Sequence, residues 1–256
     1  MRKTLLRTNL AVIGLLLVVG CASAYAIKIE LGGTSVSATA EIAPRALPAH
    51  GNAPVTIRSV TRLKATDGGT PPALKAILFQ FDKHGSVDTK GLPTCNAAKL
   101  AGTTVAQARK RCAGAIVGEG LGRAKVNLPN QPTREISSKL TFFNAPPVGG
   151  QPALIAHGYE TVPTPQALLV PMTIERVNNP RYGFRVKIEL PSIAGGYGSA
   201  VLADATIGKT WKRGGKTVGY VNASCQGGRL QVQGSISLVD GSFFPGTLVS
   251  PCHVAD

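Results

Sequence analysis

The chain has 256 residues, 43 % of them hydrophobic, and carries 28 Lys and Arg against 13 Asp and Glu, a formal charge of +15. That apolar content excludes wholesale disorder, and the length suits one large β domain or two small ones. The charge favours anionic polymers and membrane surfaces, but no long Lys/Arg run, basic helix or nucleic-acid motif accompanies it, which argues against nucleic acid as a specific ligand.

At the N-terminus Arg2, Lys3 and Arg7 precede an uncharged apolar run, Leu10 to Gly20, and then small residues. This is the layout of a secretory signal, and the run is shorter than the ~20 residues a spanning helix needs. Two processing sites compete. Val18-Val19-Gly20-Cys21 resembles a lipobox, which would acylate Cys21, whereas Ala24-Tyr25-Ala26 suits the ordinary signal peptidase. Ile27, Ile29 and Leu31 then alternate at once with Lys28 and Glu30, leaving no room for a tether. Residues 1–26 are therefore expected to be a cleaved signal peptide and 27–256 a single exported domain, secreted or held at the envelope, with anchoring through Cys21 as the alternative. Losing the leader's three cations leaves the mature chain near +12.

Period-two alternation continues downstream in "VSATAEI" (36–42), "PVTIRSVTRL" (54–63), "AILFQFD" (76–82), "FRVKIEL" (184–190) and "RLQVQGSISL" (229–238). Turn residues separate the segments, so the fold class expected is all-β, an antiparallel β-sandwich. One segment breaks the pattern. In "TTVAQARKRC" Thr104 and Gln107 stand at capping-box spacing, which predicts a short helix over 104–111 clamped at both ends by a disulfide. "VGEGLGRA" (117–124) reads as a glycine-rich turn, and "NAPPVGGQP" (144–152) as a long loop or subdomain boundary.

Setting Cys21 aside, four cysteines remain: Cys95, Cys112, Cys225 and Cys252. An even count in an exported chain reads as disulfides, and of the three connectivities we expect Cys95–Cys112 and Cys225–Cys252, closing spans of 17 and 27 residues. No C-x-x-C pair or histidine spacing suggests a metal, and no cofactor is expected. His157 with Tyr159 and Glu160 forms the most site-like cluster, the seed of an envelope-acting hydrolase as the alternative function, although no G-x-S-x-G elbow accompanies it. The candidate binding surface is "KTWKRGGKTVGY", where Gly214-Gly215 suits a two-residue hairpin turn. Trp211, Lys212, Arg213, Lys216 and Tyr220 would share that ribbon, a stacking and cationic face for an anionic cell-wall polymer or a membrane surface.

The blocks "GLPTC", "TTVAQARKRCAGAIVGEG", "LTFFNAPPVGGQPALIAHGYE" and "YVNASC…LVDGSFF…PCHV" resemble a family of secreted proteins of high-GC Gram-positive bacteria that has no assigned activity. The resemblance runs from about Pro44 to the end. It implies export, a mainly β fold and the same two cysteine pairs, and it brings no catalytic or ligand residues. The function expected is a non-catalytic binding or structural module at the cell envelope.

Overall fold

A computed structural model describes residues 26–255; the expected signal peptide through Tyr25, and Cys21 with its expected lipidation, lie outside them. In chain order the first strands are β1 (Ala26–Leu31), β2 (Thr34–Ala43), β3 (Ala46–Leu47), β4 (Ala53–Ala65), β5 (Leu74–Asp82) and β6 (Gly85–Val87). Two short helices follow, α1 (Ala97–Leu100) and α2 (Val105–Arg111). The central strands are β7 (Ile116–Val126), β8 (Arg134–Val148), β9 (Gln151–Glu160), β10 (Gln166–Arg176), β11 (Tyr182–Glu189) and β12 (Gly198–Ile207). The last are β13 (Thr210–Arg213), β14 (Lys216–Gly219), β15 (Val221–Ala223), β16 (Arg229–Leu238), β17 (Phe243–Pro251) and β18 (His253–Val254).

The alternating segments are strands, as expected, and the fold is all-β and antiparallel. The main sheet runs β1-β2-β4-β12-β7-β8-β9-β10-β11-β5-β16-β17. It curls until β17 lies against β1 and β2, so the two layers of a sandwich are here opposite walls of one near-barrel. Register sets the inner face. Val186 stands opposite Phe79 on one side and Ile174 on the other, while Ile77 lies between Ile188 and Ile236. Each such side chain, fully buried, contributes about 1.5–3 kcal/mol.

"VGEGLGRA" is not a turn. It lies inside β7, where Gly118 and Gly120 stand opposite Ile207 and Ala205 of β12. A Cβ on Gly120 would strike the carbonyl oxygen of Asp204, and one on Gly118 that of Thr206. The glycines are strand residues that let two backbones approach closely. "NAPPVGGQP" is likewise the end of β8, a turn at Gly149-Gly150 and the start of β9, within one sheet.

The seam between β17 and the first strands is closed by side chains and a clasp. Gly246 leaves room for the Ile27 and Ile29 methyls of β1. Beyond it β18 pairs in parallel with β3, His253 N–H donating to Arg45 O at 3.0 Å and Ala255 N–H to Leu47 O at 2.8 Å. The Cys225–Cys252 disulfide sits beside this clasp, in a cluster with Ile42, Leu47 and Leu230.

On the outer wall α1 and α2 pack over Phe143, Ala145, Ala153 and Ile155, and Cys95–Cys112 ties the two ends of this cap. The capping box is present: Thr104 N–H donates to Gln107 Oε1 at 2.9 Å and Gln107 N–H to Thr104 Oγ1 at 3.3 Å. The short helix and its disulfide thus stand where the sequence set them.

Gly120→Ala is expected to destabilise by roughly 1–3 kcal/mol in urea unfolding, because backbone must move. Gly122→Ala, whose Cβ meets only the Leu140 side chain at 3.5 Å, is the control and should change little. Equal effects at the two positions would contradict this account of the close approach.

Candidate functional site

The hairpin forms as its sequence suggests, with Arg213 opposite Lys216 and both Gly214 and Gly215 at positive φ. Its side chains do not assemble the expected face. Arg213 forms a bidentate pair with Asp88, at 2.9 and 2.5 Å, and also donates to Lys90 O at 2.9 Å. The guanidinium holds the Asp88 carboxyl below its ordinary range. The pair staples the hairpin to the 88–90 loop instead of offering a free cation. Trp211 is half-buried against the core cluster that contains Tyr220, and its Nε1 is buried without a partner. Lys212 and Lys216 remain exposed, Lys212 donating to Thr217 Oγ1 at 2.7 Å.

Tyr220 departs furthest from the surface reading. It follows β14 and is 1 % exposed. Its N–H donates to Lys209 O at 2.7 Å and its carbonyl accepts from Asp88 N–H at 3.0 Å. Asn222 clasps the preceding residue: its Nδ2 donates to Gly219 O at 2.6 Å, and its Oδ1 accepts from Gly219 N–H at 3.2 Å. The backbone around Tyr220 is therefore pinned on both sides, and the ring enters the barrel.

The His157 cluster is also taken apart. His157 is 0 % exposed, on the outer face of β9 beneath the helical cap. Its Nε2 lies 3.0 Å from Thr103 O and 3.1 Å from Thr103 Oγ1, and Thr103 Oγ1 donates to Leu100 O at 2.6 Å. A carbonyl only accepts, so Nε2 carries the proton, and Nδ1 is buried without a partner. Glu160, 5 % exposed, accepts from Ala194 N–H at 3.1 Å and from Gln166 Nε2. No nucleophile and base converge here.

What the barrel does assemble is a hollow. Inside the walls lies an apolar cavity of about 210 Å³, lined by Phe79, Phe142, Met172, Val186, Ala205 and Tyr220 among others. Among the described residues Asp82 is its one charged lining residue. That carboxylate, 5 % exposed, accepts from Gln231 N–H at 3.1 Å and His84 N–H at 3.1 Å, and pairs with Arg181 at 3.4 Å. It is spent on the barrel end. Among the described residues no group of His, Cys, Asp and Glu is placed to hold a metal. The sequence carried a signal of the hollow only in the inward aromatic stripe Phe79–Phe81 and in small residues such as Ala205; neither distinguishes a void from a packed core.

No protein-family profile, curated protein or solved structure matches this chain.

Burial lowers the His157 pKa from its ordinary 6.5, so the unfolded chain binds this proton more tightly than the folded one. The associated stability is whole above the ordinary value and is lost as pH falls below it. Melting temperature should drop between about pH 7.5 and 5, and His157→Gln should flatten that slope even if it lowers stability throughout. An unchanged slope in the variant would remove His157 as the cause.

Proposed function

We propose that this chain is an exported, non-catalytic binding module that carries a small apolar molecule inside its barrel. The observation that carries this reading is the 210 Å³ hollow, walled by Phe, Met, Val and Ile side chains in a domain otherwise stapled shut. Close-packed interiors contain few voids larger than a water molecule, and an apolar void stays dry and takes apolar guests. Two disulfides fit an oxidising compartment outside the cytoplasm, in keeping with the leader. Among the described residues no helix is long and apolar enough to cross a membrane. The basic exterior, with Lys212 and Lys216 exposed on the hairpin, supports residence near anionic envelope polymers or membrane surfaces.

Titration of the oxidised, exported chain with indane tests the reading. Saturable binding is expected, with a stabilisation of ~1.4 kcal/mol at tenfold excess over Kd and a response from the single tryptophan, Trp211, which packs against the cavity cluster. Ala205→Leu fills part of the hollow and should abolish the effect. Absence of saturable binding, or binding indifferent to Ala205→Leu, would refute the proposal.

A further inference from the structure

The cavity wall is mainly apolar. Among the described residues several buried side-chain polar atoms lack a hydrogen-bond partner, and of these only the Tyr220 hydroxyl belongs to a cavity-lining residue. A buried hydroxyl with no partner has given up its hydrogen bonds to water for nothing in return, and native folds rarely leave one so without a reason. Two other buried polar residues of the lining are engaged: Asp82 holds two backbone N–H groups and Arg181, and Asn222 holds Gly219. Tyr220 is also the residue whose backbone is pinned by Lys209 and Asp88, so its ring is held in place before any guest arrives.

Resting on the reading of the barrel as a binding module, we infer that Tyr220 is its anchor. The guest is a compact, neutral, mainly hydrocarbon molecule with one oxygen acceptor, a ketone, ester or ether, that receives the Tyr220 O–H. Burial raises the phenol's pKa, so the group stays protonated and donates. An anionic guest does not fit: among the described residues no Lys or Arg lines the hollow, and an unpaired buried charge is expensive. Size narrows the class further. A cavity of roughly 150 Å³ takes a benzene ring, so the 210 Å³ here suits a fused bicycle or a short branched chain.

The test uses one carbon skeleton in three forms, indane, indanone and indane carboxylate, titrated by calorimetry into the oxidised chain and into Tyr220→Phe. The wild-type chain should bind indanone several-fold to about tenfold more tightly than indane, the worth of one hydrogen bond, and should not bind the carboxylate. Tyr220→Phe should bind indane and indanone alike, and without ligand it should be no less stable than wild type. Equal wild-type affinity for indane and indanone would overturn the anchor even if the variant failed to fold. So would a ketone preference that survives in Tyr220→Phe, or a variant destabilised in the absence of ligand. No binding of any of the three would overturn the binding-module reading and the anchor with it, which separates the two failures.

Discussion

The structure depends on closing one sheet upon itself. A long antiparallel sheet ends in two strands with unpaired N–H and C=O groups, which invite pairing with other chains, and its inner face stays wet unless the edges meet. Here β1 and β17 are those edges, and they meet without a full ladder between them. Shape does part of the work, with isoleucine methyls of β1 seated over Gly246. The remainder comes from the parallel clasp of β18 on β3 beside the Cys225–Cys252 bridge. On the chain-entropy model a span of that length stabilises by ~3 kcal/mol, and this bridge spends it at the joint where side-chain packing replaces hydrogen bonds.

Closure also decides what the polar interior residues do. Asp82 ties β5 to the backbone at Gln231, at the start of β16, and reaches Arg181. His157 and Thr103 hold the cap to the outer wall. Arg213 and Asp88 hold the hairpin against the 88–90 loop. Groups that look chemical in the sequence are used to join parts of the scaffold, and among the described residues that line the hollow the buried side-chain polar atom without a partner is the Tyr220 hydroxyl. The hollow and its unpartnered donor are the observations that support the proposed binding role, whereas a catalyst would need several groups converging on one reacting atom.

Local features were legible wherever the physics was local. Alternation marked the strands of 36–42, 76–82 and 229–238, and Thr104 with Gln107 marked the helix start. The cysteine spacing anticipated both bridges. Long-range order was not legible, since nothing near β5 says that it lies between β11 and β16. Two misreadings share that cause. The β7 glycines look like a turn until β12 is beside them, and Tyr220 looks like a surface residue of the hairpin until the chain turns inward at β15. In both cases a distant backbone, unseen in the local pattern, fixes the role of the residue.

The central claim is that the sheet closes around a dry, accessible hollow. A crystal of the oxidised chain pressurised with xenon tests this most directly, because xenon enters apolar voids and leaves packed or hydrated interiors alone. The account predicts xenon density inside the barrel, between Phe142, Met172 and Val186 and beside the Tyr220 ring. An interior filled by repacked side chains, or occupied by ordered water with no xenon, would contradict it.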